Sequence, residues 1–413
     1  MSPPEGETGS IPGSLPVTPP WRIVHVITRL IVGGAQENTV SSVLGLRERR
    51  DFQVQLISGP TTGPEGSLES LFDSSPGALS IIPELIRPVR PWTDWIAYRR
   101  LTERFRQQLP HIVHTHSGKA GILGRLAARK AGVPIILHTI HGPSFGPFQG
   151  PLANAAFTQA ERFAARVTDH FVVVADAMTR QYLASGVGRP GQFTRVFSGF
   201  DLDPFLNAQP DPELAKRLGI QPGDFVVGKV ARLFELKGHD DLFRAAPELL
   251  RRIPNLRILL VGDGPWRERF EALSRQPPLN GRVLFTGLIP PSEVPRHLAL
   301  MDVLVHLSGR EGLARVLPQA LAAGKPIVAY DCDGASEICL DEQTGFLILP
   351  DHLDALVNRL GQLADAPELA RSLAAEGQAF VRERFSTERM VQDLDALYRD
   401  WIMRKGLRPT LLR

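Results

Sequence analysis

Short runs rich in apolar and β-branched residues recur along this chain, most of them followed by a turn marked with glycine or proline and then by a helix-length segment. They lie at 21–28, 52–58, 78–82, 112–116, 133–141, 170–174 and 193–197, and again at 225–230, 256–261, 282–286, 301–307 and 327–330. Runs of this length read as strands buried on both faces, and helices between successive strands make those strands parallel. The expected fold class is α/β, with doubly wound parallel sheets. At 413 residues the chain exceeds one typical domain of roughly 100–200 residues. A polar stretch from Ser198 to Asp224 interrupts the alternation and divides the chain into Rossmann-like domains at 21–200 and 206–386. A last helix at about 387–405 is expected to pack back onto the first domain. Residues 1–20, rich in Pro, Gly and Ser, read as a disordered leader.

Ligands of open α/β sheets collect at the carboxyl ends of the strands, which narrows the candidates. After the first strand, Gly33 and Gly34 open a helix, where the backbone can approach a phosphate closely. His141 ends the fifth strand and precedes a Gly-Pro-Ser-Phe-Gly-Pro loop suited to cover a site. Arg232 and Lys237 flank the loop after strand 225–230, where two cations can grip a diphosphate, Arg by its planar fork and Lys as a point charge. Gly262 follows the next strand. Glu311 follows strand 301–307, and Gln319 sits among apolar neighbours on the helix beyond it.

Two metal readings stay open beside blander ones. His114, His116, His138 and His141 are strand-end histidines without a Cys or carboxylate at ligand spacing. Asp331 and Asp333 suit either a turn or a hard divalent cation. Segment 92–109 reads as a core-facing helix with a solvated basic face or as a membrane-surface helix, since Trp92 and Trp95 stand beside Arg99, Arg100 and Arg104. Cys332 and Cys339 are too few for a disulfide framework and favour a reducing compartment, and no apolar run is long enough to span a membrane. Residues 1–200 carry 20 Lys and Arg against 14 Asp and Glu, the remainder 27 against 30. The basic half suits an anionic small ligand or lipid surface; nothing resembles a nucleic-acid motif.

The Gly33-Gly34 pair, the Arg232…Lys237-Gly loop, Gly262-Asp-Gly-Pro265, Glu311-Gly312, Ala323-Gly-Lys-Pro-Ile-Val328 and Gly334-Ala-Ser-Glu337 together resemble the retaining nucleotide-sugar glycosyltransferases of family 4. The resemblance covers about residues 21–400. It implies the GT-B fold, two doubly wound Rossmann-like domains facing across a cleft, the first for acceptor and the second for donor. By the same resemblance, Gly33, Gly34, Gly312 and Leu313 approach the donor, Arg232 and Lys237 hold its diphosphate, Glu311 meets the sugar hydroxyls and His141 lies beside the reacting sugar. Glu337 falls in the family's Glu-bearing turn, structural or near the nucleotide. The family's second Glu is Gln319 here, which keeps one acceptor oxygen and loses the charge.

The implied activity is sugar transfer from a nucleoside diphosphate sugar, UDP-linked first and GDP-mannose second, to a hydroxyl of a lipid-linked or polysaccharide glycan of the cell envelope. Retention of configuration, no cofactor, no metal, and a cytoplasmic place on the inner membrane face belong to the same expectation. A nucleotide-sugar 2-epimerase and a non-catalytic nucleotide-sugar binder are the alternatives. A nicotinamide dehydrogenase is disfavoured, because the dinucleotide fingerprint and its acidic partner are missing.

Overall fold

In the computed structural model, residues 19–63, 66–146 and 149–408 are described, so all but the end of the expected leader lies outside them. The first sheet contains β1 (Trp21–Ile27), β2 (Phe52–Ser58), β3 (Leu79–Ile81), β4 (Ile112–His116), β5 (Ile135–Ile140), β6 (His170–Val173) and β7 (Phe193–Arg195). The second contains β8 (Phe225–Val230), β9 (Leu256–Val261), β10 (Val283–Gly287), β11 (Val303–His306), β12 (Ile327–Tyr330) and β13 (Gly345–Ile348). The orders are β3-β2-β1-β4-β5-β6-β7 and β10-β9-β8-β11-β12-β13, and every pairing within them is parallel. Two doubly wound Rossmann-like units, the GT-B architecture, are therefore what this chain forms.

Each order reverses once, between β1 and β4 and between β8 and β11. Loops leaving adjacent strands at a reversal turn to opposite faces and open a crevice. The glycine pair leaves β1, the Arg232 loop leaves β8, and the Glu311 loop leaves β11. The edge strand β13 escapes a sequence reading. Its four residues follow a polar turn and gain their strand character from pairing with β12.

Apolar faces of the helices explain which of them cover each sheet. Helix Thr387–Arg404 lays Met390, Val391, Leu394 and Tyr398 into the first domain's core, against Ile23, Val43 and Leu137. Helix Pro91–Gln108 buries Ala97, Leu101 and Phe105, spaced four apart on one face. Trp92 and Trp95 belong to the other face; they are 71% and 46% exposed and stack on each other at 5.0 Å.

Candidate active site

Three loops at the carboxyl ends of β8, β9 and β11 pack on one another. Gly238 has φ of +68°, and a β-carbon there would lie 1.9 Å from the Leu307 carbonyl oxygen, so glycine is what lets the β8 loop rest on the end of β11. The Gly309 amide donates to Leu236 O (2.9 Å), and the Leu233 amide donates to Asp263 O (3.0 Å). The turn bearing Gly262 thus backs the Arg232 loop. On this frame Lys237 donates to Glu311 Oε1 in a partly exposed ion pair. Arg232 stands exposed, its guanidinium 5.4 Å from the centre of the Phe234 ring.

Both carboxylate oxygens of Asp333 accept hydrogen bonds from protein donors. Its Oδ2 accepts the Glu311 amide (2.6 Å) and its Oδ1 accepts Gln181 Nε2 (2.5 Å), so Asp333 braces the loop against the first domain.

The other domain reaches the same point. A β-carbon on Gly312 would lie 1.9 Å from the His141 carbonyl oxygen, which brings the Glu311-Gly312 turn into contact with the end of β5. Arg310 donates to Pro143 O (2.9 Å). Arg315 pairs with Glu37, and its stem passes Gly34, where an added β-carbon would lie 3.1 Å from Arg315 Cδ. Glu337 accepts the amides of Asp176 (2.8 Å) and Ala177 (2.9 Å), the start of a first-domain helix. Of the two roles expected for Glu337, the structural one holds: it joins the domains.

The Lys237–Glu311 pair therefore lies next to the contact of Gly312 with the His141 backbone, with Gly34 behind Arg315. Leu313 is half-buried beside them, and the half-buried Gln319 makes no side-chain hydrogen bond among the described residues. Gly33 begins the helix Gly34–Arg47 in extended backbone (φ 172°). Sequence reasoning missed Arg315, four residues beyond Glu311 on the same loop. The histidines divide as strand alternation requires. His138 turns to the opposite face of β5, where Nδ1 meets Thr115 Oγ1 at 2.9 Å, so the four-histidine zinc set is not assembled. His141 instead meets His116, Nε2 to Nδ1, at 3.0 Å. Burial, followed by the charge of Arg315, pulls His141 down to about 3, so its ring is neutral.

Beneath this site, β8 carries Lys229 into the interior. It is 1% exposed, and its Nζ, together with His239 Nδ1 and Ser308 Oγ, has no hydrogen-bond partner among the described residues. Burial first, then the charge of Lys237, lowers Lys229 from 10.5 to about 7. Between those values the unfolded chain binds the extra proton, so stability should rise with pH, by at most about 1.4 kcal/mol per pH unit from this group. Lys229→Met is expected to stabilise the protein at pH 7 and to remove this rise. Urea midpoints at pH 7 and 9 check it, and equal pH dependence in variant and wild type counts against it.

The family described as Glycosyl transferases group 1 matches residues 210–380, and the Glycosyl transferase 4-like domain matches residues 33–196. The putative glycosyltransferase EpsD of Bacillus subtilis (strain 168) is 31% identical over 310 residues, 73% of this chain and 79% of that one. An Escherichia coli protein named UDP-Gal:alpha-D-GlcNAc-diphosphoundecaprenol alpha-1,3-galactosyltransferase is 26% identical over 389 residues, 93% and 98% of the two chains. Among solved structures, Anabaena HepE in complex with UDP and glucose superposes with a TM-score of 0.76 at 21% identity, covering 92% of this chain and 100% of that one, which supports the fold. With both halves matched and EpsD 31% identical over 79% of its length, this chain belongs to the group 1 glycosyl transferases, with a glycosyl transferase 4-like first domain.

Proposed function

We propose that this glycosyltransferase moves a sugar from a UDP-sugar to a hydroxyl of a lipid-linked or polysaccharide glycan, with retention of configuration and without a metal ion. The observation that carries the reading is that the Lys237–Glu311 pair sits beside Gly312, which rests on the backbone of His141 from the opposite domain. In this reading Lys237 leaves Glu311 when donor binds. Lys237 and Arg232 then face the diphosphate, and the Glu311 carboxylate accepts from sugar hydroxyls. As the bond from the anomeric carbon to phosphate oxygen breaks, the cations offset the charge growing on the leaving group. The acceptor oxygen bonds to that carbon on the same face and passes its proton to the departing phosphate oxygen, which retains configuration. Metal independence is supported by Asp333, both of whose oxygens are committed to protein donors.

A cavity of about 570 Å³ beside Ser144 suits the acceptor, because Arg29, Arg87 and the Asp94-paired Lys119 line it together with Ile122 and Phe157. That pairing of cations with apolar surface fits a phosphate-linked lipid, the kind of acceptor in the E. coli relative's name. The exposed Trp92 and Trp95, with the exposed Arg99, Arg100 and Arg104 on the same helix, form the proposed contact with the inner face of an anionic cytoplasmic membrane. Salt-sensitive sedimentation with anionic vesicles, weakened when Arg99, Arg100 and Arg104 are neutralised, is the expected result; salt-independent behaviour removes this part.

A thermal-shift screen of nucleoside diphosphates and their sugars tests the donor. The true donor at 100 times its Kd adds about 2.7 kcal/mol of stability. NMR then reads the anomeric configuration of the product; inversion, or conversion of donor to its 2-epimer without acceptor, overturns the proposal. Gln319→Glu should lower donor Kd by adding a charged acceptor. Unchanged or weaker donor binding would remove Gln319 from the donor contacts.

A further inference from the structure

Behind His141 lies a band of polar side chains in the otherwise apolar face of the first sheet. His25 on β1 and His114 on β4 are register partners, and His116 pairs with Thr139 of β5. Two-residue steps therefore put His25, His114, His116, Thr139 and His141 on one face. Tyr398, from the C-terminal helix, closes over them. His25, His114, His116, Thr139 and Tyr398 are each at most 3% exposed.

The contacts form one unbranched chain. Thr139 Oγ1 is 2.6 Å from His114 Nε2, and His114 Nδ1 is 2.5 Å from the Tyr398 hydroxyl. That hydroxyl is 3.1 Å from His25 Nε2; His25 Nδ1 is 2.9 Å from His116 Nε2, and His116 Nδ1 is 3.0 Å from His141 Nε2. Burial holds all four imidazoles neutral and the phenol protonated. A neutral imidazole donates once and accepts once, and the buried Tyr398 proton has no acceptor among the described residues other than His114 and His25, so the whole chain must run in a single direction. Its far end sets which one. Thr139 Oγ1 has His114 as its only hydrogen-bond partner among the described residues, so its proton is satisfied only by donation to Nε2.

We propose that Thr139, His114, Tyr398, His25 and His116 are positioning residues that fix His141 in the Nδ1–H tautomer. Thr139 donates to His114, His114 to Tyr398, Tyr398 to His25, His25 to His116, and His116 to His141 Nε2. The ring of His141 is left with its proton on Nδ1, the nitrogen outside the chain, as a donor for a sugar hydroxyl. Its consequence for turnover rests on the placement of His141 at the donor, given above. A metal ion is the competing occupant, because nitrogens of His25, His114 and His116 lie within 4.8 Å of one another. Both nitrogens of His114 are already held by hydroxyls, and those of His25 and His116 by each other and by the chain on either side, so an ion would have to displace these bonds.

Nitrogen-15 spectra of histidine-labelled full-length protein read the tautomers directly. Wild type should show His141 protonated on Nδ1. Thr139→Val keeps the shape but removes the first donor, and Tyr398→Phe cuts the chain at its middle. Each should give His141 as a mixture of tautomers, while Thr139→Ser restores the single form. In the same variants kcat should fall in proportion to the Nδ1–H population, with the donor KM unchanged. Protonation on Nε2 in wild type, a single unchanged tautomer in both Thr139→Val and Tyr398→Phe, or stoichiometric bound metal overturns the proposal. A mixed tautomer with undiminished kcat supports the chain and instead refutes the role of His141 at the donor.

Discussion

Lys237→Ala should lower kcat by about 10²–10³-fold, the usual cost of deleting one preorganised group that stabilises charge in a transition state. Lys237 reaches from a loop held in place by Gly238 and is matched to Glu311. Removing it takes a cation from the leaving diphosphate and leaves the Glu311 carboxylate uncompensated beside that charge. Lys237→Arg should recover part of the rate by keeping the charge with a different shape. Arg232→Ala should fall in the same direction, measured as single-turnover transfer with saturating donor. Wild-type turnover in both alanine variants would dismiss the diphosphate clamp.

Glu161→Ala should destabilise the first domain by about 3–5 kcal/mol, the range for breaking a buried ion pair on one side. Arg125 and Glu161 are both 0% exposed and 2.6 Å apart, and Arg125 also donates to Gly121 O (2.8 Å). Ser144 donates to the second carboxylate oxygen of Glu161 (2.9 Å) and lies 3.3 Å from the Tyr182 hydroxyl. The pair therefore anchors the loop after β5 as well as the core, and its loss should also loosen the cavity beside Ser144. Replacing both partners, as in Arg125→Met with Glu161→Leu, should cost less than the single change, because no charge is left stranded. Denaturant midpoints decide this; a loss below about 1 kcal/mol in Glu161→Ala would mean that water reaches the guanidinium.

Much of this arrangement is legible from the residues. Strands such as 256–261 and 327–330 are short, mostly apolar and bounded by turn residues, so local pattern and tertiary burial agree. Gly33-Gly34, Arg232, Lys237 and Glu311 stand where the alternation puts loops at the carboxyl edge, and family resemblance gave them roles to be tested. Trp92 and Trp95 were harder. Either face of that helix could have been buried, and Ala97, Leu101 and Phe105 took the core.

The alternation of strand and helix, read along the chain alone, determined two parallel sheets and named the loops that could carry chemistry. That follows because strand period, helix length and turn residues are local properties. Only the tertiary structure decided which loops meet across the cleft, that Asp333 and Glu337 are braces, that Lys229 is buried without a hydrogen-bond partner among the described residues, and that His116 stands behind His141. Those outcomes depend on register between distant strands and on a helix near the C-terminus returning to the first sheet. Contacts made across such separations leave no periodic trace in the sequence, because each partner's local surroundings are equally compatible with several others.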